Sequence, residues 1–281
     1  MAPNQLLRKL RIERGISQKE LAKGISARNT LSSYELGGNT INYHLLRLYL
    51  DKLNVSVEEF DFLQTNSTIA QKKLYSATLE DLYYHHEYEK IISLLEKIES
   101  NYTQTGDFYY FHLLAQYRMA MNNAGIAILS QSESDLYAEK IKQYLGQIDS
   151  WGKFEAALFI NFMYIFDTEY VLYTLKYVQK KQQMYCSLYK KYRLLEKMHL
   201  NALYLLVERG ENQLLPIILE SFTKIIDADD LKSKVIISFF GSFIAKDTQN
   251  MNAILQILRS FEMNNYADYL KKLTDTPHST N

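Results

Sequence analysis

Arg28, Asn29, Ser32 and Ser33 fall within one stretch, SQKELAKGISARNTLSSYELG, at residues 17–37. A guanidinium can fork onto the O6 and N7 acceptors of guanine, a carboxamide can pair bidentately with adenine, and a serine hydroxyl bonds either way. Such groups reach base edges only when a helix presents them on one outward face with its first turns in a major groove. Gln18, Lys19 and Arg47 add polar and cationic groups of the kind that hold phosphate, which positions a protein on a duplex without specifying sequence.

The flanking residues supply the elements that such presentation needs. In NQLLRKLRIERG, Leu6, Leu7 and Leu10 form an apolar stripe and Gly15 supplies a stop. Ser17 and Glu20 make a capping box that opens a second helix: the serine hydroxyl accepts from the Glu20 amide while the carboxylate reaches back to the Ser17 amide. Leu21, Ala22 and Ile25 give that helix its inner face, and GIS makes the turn. A third helix is predicted over 27–36, with Ser26 as N-cap, Leu31 and Tyr34 inward, and Gly37-Gly38 ending it. Arg28, Asn29, Ser32 and Ser33 are then left outside. A fourth helix uses Leu45, Leu48, Tyr49 and Leu53, and a fifth opens on Ser56 with Glu59 ahead of Phe60 and Leu63. Two short helices around a tight turn make a helix-turn-helix.

Residues 7–63 resemble the phage-repressor-type (XRE) helix-turn-helix domain through Leu10, Arg11, Gly15, Ser17, Gln18, Glu20, Leu21, Ala22, Leu31, Ser32, Glu35 and Gly37. Leu36 stands where a basic residue is common. The interval from Ala22 to Glu35 is one residue shorter than in the commonest repressors, a feature of the Rgg/GadR/MutR regulators of Gram-positive bacteria. The resemblance implies double-stranded promoter DNA as a partner.

Charge is distributed accordingly. The 281 residues carry 32 basic and 32 acidic side chains, which argues against a wholesale nucleic-acid binder. Residues 1–50, however, hold eight basic side chains against three acidic ones. A basic head on a mildly acidic body is the asymmetry expected where only the head meets phosphate. With 10 Gly, 3 Pro and long helical periodicities, the fold class expected is all-α, with a five-helix DNA-binding domain over 1–66 and a second helical domain over 67–281. No apolar leader opens the chain and no uncharged stretch is long enough to span a bilayer, so a cytoplasmic protein without membrane contact is expected. Cys186 is the single cysteine, which excludes an intrachain disulfide and fits a reducing compartment.

After QTNST, helical segments follow in pairs, among them 107–123, 133–149, 153–167, 168–182, 186–209, 211–226 and 230–246. Paired helices recurring about every 35 to 45 residues imply a tetratricopeptide-like (TPR-like) α-solenoid. Within it, DSWGKFEAALFINFMYIF at 149–166 resembles the block of Rgg-type regulators in which a Trp-Gly pair precedes an inner helix carrying an asparagine. Asn161 occupies that position, and Asn201 in HLNALYLL resembles a second one in the next repeat. The resemblance now extends over almost the whole chain and implies a receptor for a short signalling peptide, of the peptide-sensing RNPP superfamily. A carboxamide offers donors and an acceptor to the backbone of any extended peptide, and Tyr164, Tyr204 and Phe243 are expected to wall its side-chain pockets. An inner-helix asparagine can equally bond across to a neighbouring helix, and most of the 23 tyrosines are packing residues.

No catalytic constellation accompanies these features. His85 and His86 are adjacent rather than one turn apart and cannot share a metal. Cys186 lacks a His-Asp pattern, and no glycine-rich phosphate loop occurs. The chain is expected to be a non-enzymatic regulator without cofactor or metal, acting as a homodimer held by packing. The rival reading is a DNA-bound repressor or adaptor whose helices dock a protein partner and sense no peptide.

Overall fold

The computed structural model describes residues 1–65, 71–126, 129–191 and 193–275, with side chains described outside residues 65 and 181–191. Among the described residues the chain forms sixteen α-helices, two short 3-10 turns and no strand. It divides into two compact units, Met1–Ser100 and Asn101–Asn281. The domain boundary expected at residue 66 and the linker beside it fall largely outside the described residues.

In the amino-terminal unit α1 (Pro3–Glu13), α2 (Gln18–Ala22), α3 (Arg28–Glu35), α4 (Tyr43–Lys52) and α5 (Val57–Thr65) enclose one core, followed by α6 (Gln71–Tyr84) and the first part of α7 (Tyr88–Thr105). Leu7, Leu21, Leu31, Tyr49, Leu53 and Phe60 are almost wholly buried in that core, each stabilising the fold by about 1.5–3 kcal/mol through apolar burial. The Ser17 capping box closes as expected, with Ser17 Oγ accepting from Glu20 N–H at 3.2 Å and the Glu20 carboxylate accepting from Ser17 N–H at 2.8 Å. Glu59 N–H likewise donates to Ser56 Oγ at 3.0 Å. Two local expectations are corrected. The N-cap of α3 is Ala27, because the Ser26 hydroxyl is engaged with the Tyr49 hydroxyl 2.5 Å away and donates to the Ala27 carbonyl. On α4 it is Leu50 that is buried, whereas Leu48 is only half-buried.

In the carboxy-terminal unit the helices are α8 (Phe108–Asn123), α9 (Gln131–Gly146), α10 (Lys153–Asn161), α11 (Thr168–Lys191), α12 (Leu194–Glu208), α13 (Leu215–Thr223), α14 (Leu231–Ile244), α15 (Thr248–Ser260) and α16 (Asn264–Asp275). From α11 onward each helix packs on the next, and α12 also meets α10 and α16. A single core runs through them, with Phe159, Phe162, Met198, Leu203, Phe222, Phe239 and Phe240 at 0 % exposure.

The helix expected over 153–167 stops early, at Asn161. Phe162 leaves helical geometry, Met163–Ile165 form one 3-10 turn, and Phe166 is extended. The carbonyls released from the helical ladder are taken up from a distance: Arg209 Nη2 donates to the Tyr164 and Phe166 carbonyls at 3.1 and 2.7 Å, and its Nη1 to Thr168 Oγ1 at 2.8 Å. Further on, α11 runs to Lys191 rather than ending near 182, and α12 begins at Leu194 rather than near 186. Arg193 makes that turn at φ 51°, paired with Asp230 and Glu196. Cys186 belongs to the residues whose side chains lie outside the description.

Candidate DNA-reading face and ligand cleft

Behind α3 lies a closed polar network. Arg11 Nε and Nη2 donate to the two carboxylate oxygens of Glu35, each at 2.7 Å, and Nη1 donates to the Ile16 carbonyl at 2.9 Å. Gln18 Nε2 adds a third donor to Glu35 at 2.8 Å. Burial pushes the Glu35 carboxyl up, but the Arg11 and Gln18 hydrogen bonds and the Arg11 charge outweigh it and hold the group below the usual carboxylate range. The Glu35 bond in turn raises Arg11 against its own desolvation. This bidentate pair ties the last turn of α3 to α1 and, through Gln18, to the start of α2, so the helix-turn-helix is fixed by charge-assisted bonds at three corners. Lys52 closes the fourth side, its Nζ donating to the Glu20 and Lys23 carbonyls at the end of α2 at 2.5 and 2.7 Å.

On that scaffold Arg28 and Asn29 are the first two residues of α3 and both are exposed. Ser32, one turn later, lies half-buried on the same side as Arg28. Ser33 is also half-buried: its carbonyl accepts from Gly38 N–H at 2.8 Å, and a Cβ on Gly38 would sit 2.9 Å from its hydroxyl oxygen. Lys19 is exposed on α2, and Arg47 is exposed on α4 with its guanidinium 6.0 Å from the Tyr43 ring centre. Gln18 is turned inward to Glu35, so its amide orders the domain.

In the carboxy-terminal unit, α10, the 3-10 turn, α12 and α16 border a cleft of about 230 Å³. Asn161, Tyr164, Asn201 and Tyr204 all line it, together with Glu208 from α12 and Tyr269 from α16. Asn161 Nδ2 donates to Gln116 Oε1 and Asn201 Nδ2 to the Ile160 carbonyl, each at 3.0 Å. Both are bonds across to a neighbouring helix, the first from α10 to α8 and the second from α12 to α10, and the second satisfies one of the terminal carbonyls that α10 cannot pair internally. Neither carboxamide oxygen accepts a hydrogen bond from the described residues, so each carries an acceptor at the cleft.

Three tyrosines, Tyr164, Tyr204 and Tyr269, line the cleft, and Tyr266 backs Tyr204. The Tyr204 and Tyr266 hydroxyls are 2.5 Å apart, the Tyr269 ring stands edge-on to Tyr204 at 5.4 Å, and the Tyr164 hydroxyl lies 3.7 Å from Met119 Sδ. Burial pushes Tyr164 and Tyr266 up to about 12. It also raises Tyr204 and Tyr269, the latter with help from the Glu208 charge. All four stay neutral phenols near pH 7.

Phe243 is not part of the cleft; it remains on α14, half-buried against the core. The third aromatic wall comes instead from α16, which returns onto α12. Tyr266 and Tyr269, three residues apart on a helical face, carried that signal in the sequence, but nothing local said which helix they meet. Both ends of α10 are anchored. Trp151 packs on Phe159 with ring centres 5.4 Å apart, and Glu155 accepts from Gly152 N–H at 2.8 Å and from the Tyr144 hydroxyl at 3.1 Å. At the other end Asn201 holds the Ile160 carbonyl, and Arg209 holds the 3-10 turn that follows.

The family model "HTH-type transcriptional regulator Rgg, C-terminal domain" matches residues 111–272, and a helix-turn-helix model matches residues 7–60. Among solved structures the chain is similar to the SHP pheromone receptor Rgg2 of Streptococcus dysgalactiae, at 17 % identity over 98 % of this chain and 99 % of that one, with a TM-score of 0.74. A putative transcriptional regulator from Listeria monocytogenes EGD-e shares 19 % identity over 97 % of each chain, with a TM-score of 0.76. The PrgX/cCF10 complex is also similar, at 13 % identity over 96 % of this chain and 90 % of that one, with a TM-score of 0.69. At these identities the likeness is one of fold.

Proposed function

The chain belongs to the Rgg family of helix-turn-helix transcriptional regulators, and from that premise we propose a cytoplasmic homodimer that reads a two-fold symmetric promoter site and answers to a short signalling peptide. It is a regulator rather than an enzyme. In this reading residues 1–66 bind DNA. Arg28 and Asn29 contact base edges, Ser32 and Ser33 border them, and Lys19 and Arg47 hold phosphate, with Gln18 positioning the helices behind them. Residues 67–281 form the TPR-like repeat domain for peptide binding and dimerisation, with the peptide meeting Asn161, Tyr164, Asn201 and Tyr204.

The observation that carries the peptide reading is the pair of carboxamides at one cleft, each with its oxygen unused by the described residues and flanked by neutral phenols. That is the equipment for pairing with an extended backbone irrespective of its side chains. A fold shared with a pheromone receptor and with a structure described as a bacterial peptide pheromone/receptor complex is in keeping with it. Mechanistically, a peptide can shift the balance between two arrangements of the dimer only by binding one of them more tightly. Half-sites about 34 Å apart reward only the arrangement with matching spacing of the two heads.

The test is operator binding measured by fluorescence anisotropy, with and without the short secreted peptides of the host. A change in operator affinity with peptide is expected. Intact DNA binding that responds to no such peptide rejects sensing and leaves the adaptor reading.

A further inference from the structure

At about 230 Å³ the cleft is smaller than the roughly 300–1,000 Å³ of sites that engulf a whole drug-sized ligand. A longer ligand must therefore continue past its rim, and the packing of α8 shows what it would meet there. His112, Gln116 and Met119 follow one another at helical spacing along one face of α8. They meet the α10 segment in the same order: the His112 ring stands edge-on to Phe154 with centres 5.0 Å apart, Gln116 bonds Asn161, and Met119 Sδ lies 3.7 Å from the Tyr164 hydroxyl. The next pairing repeats the pattern, with Asn201 at the Ile160 carbonyl and Arg209 at the Tyr164 and Phe166 carbonyls. So α8, α10 and α12 run side by side in one direction, and each brings a carboxamide to the joined face: Gln116, Asn161 and Asn201.

Gln116 lies outside the cleft lining, half-buried, next to Asn161 within it. Its Oε1 accepts from Asn161 Nδ2, so among the described residues the Gln116 amide nitrogen donates to nothing and Asn161 Oδ1 accepts from nothing. Turning both amides over exchanges their roles and leaves the same complement outside, one N–H donor beside one carbonyl acceptor. Those are the counterparts of the C=O and N–H of one extended peptide residue. Asn201 has no such choice. Its partner is the Ile160 carbonyl, so its nitrogen donates inward and its oxygen is the group presented.

We propose that Gln116 is a third backbone-pairing residue, which donates to a carbonyl of an extended peptide where the peptide leaves the cleft across α8, beside an N–H accepted by Asn161. The assignment rests on the peptide reading. A Gln116 that only braced Asn161 would touch no ligand, and a carboxylate in its place would brace Asn161 equally well.

The probe is N-acetyl-tetra-alanine N-methylamide, which offers backbone groups and almost no side chain. It is titrated into the full-length protein at pH 7 while the side-chain amide resonances of Gln116, Asn161 and Asn201 are followed by NMR. All three are expected to shift with one dissociation constant. Gln116→Met, which keeps the length of the side chain and loses both amide functions, should weaken binding about fivefold. Gln116→Glu keeps an oxygen that accepts from Asn161 but is ionised and has no donor at that pH, so it should weaken binding at least as much. Native affinity in Gln116→Glu would mean that Gln116 only braces Asn161, and overturns the assignment. Shifts at Asn161 and Asn201 with none at Gln116 overturn it as well and leave the peptide reading in place. No shift at any of the three rejects backbone pairing on this face, and the peptide reading with it.

Discussion

The helix-turn-helix and the cleft use polar side chains in opposite ways. In the amino-terminal unit the polar groups around α3 and α4 are engaged with one another: Arg11 uses three donors, Glu35 accepts from two partners, half-buried Ser26 meets Tyr49, and exposed Lys52 donates to the Glu20 carbonyl. In the cleft Asn161 and Asn201 each use a donor and, among the described residues, leave the carboxamide oxygen without a hydrogen bond. A surface that reads a rigid duplex is served by a scaffold that does not move, whereas a site for an extended peptide must keep backbone-pairing capacity in reserve.

The sharpest way to break this contrast is to open the head network. Replacing Glu35 by Ala strands a buried guanidinium and should cost about 3–5 kcal/mol in the amino-terminal unit, read as a lowered urea midpoint for that unit. Because the Glu35 pKa is depressed in the fold, its contribution is present above its unfolded pKa and is lost as pH falls through the folded one. Acid should therefore loosen the native head and leave a Glu35→Gln head with a flatter response below about pH 4.

The carboxy-terminal unit has its own acid-sensitive point, of different origin. His112 is buried among the Tyr109 and Phe154 rings with Nδ1 unpaired, and desolvation lowers it to about 4. Its unfolded form takes up a proton near pH 6.5 while the folded form does not, so stability should fall between about pH 6.5 and 4, by up to about 3 kcal/mol. A His112→Phe protein should lose that dependence, measured as Tm against pH; an unchanged profile would mean that the ring is protonated in place.

Smaller effects probe the surfaces themselves. Arg28→Ala should weaken binding to the operator by about 1–3 kcal/mol while leaving binding to random duplex nearly unchanged. Lys19→Ala should instead weaken both alike and reduce the salt dependence. Asn201→Ala removes the bond to the Ile160 carbonyl and should cost about 1 kcal/mol of stability, a modest loss beside that of Glu35.

The same contrast explains what could be read from sequence. Features set by neighbours a few residues apart were legible: the Ser17–Glu20 and Ser56–Glu59 caps, the Leu7 and Leu10 stripe, and the exposed position of Arg28 and Asn29. A third capping box, Ser130 with Glu133, has the same local signature and would have moved the start of α9 from 133 to its true place. Features set by distant partners were not. Ser26 looks like a cap until Tyr49, 23 residues away, claims its hydroxyl. The turn after α10 is held by Arg209, and the cleft wall depends on the return of α16 to α12, which put Tyr269 rather than Phe243 beside Tyr204. Gln18 has the composition of a phosphate contact, but Glu35 captures it.

The most direct test of the central claim is isothermal titration of the full-length protein with synthetic short apolar peptides encoded beside its gene. Saturable binding that weakens on Asn161→Ala or Asn201→Ala is the expected result. No binding heat from any of them, in a protein that still binds its operator, would contradict the account.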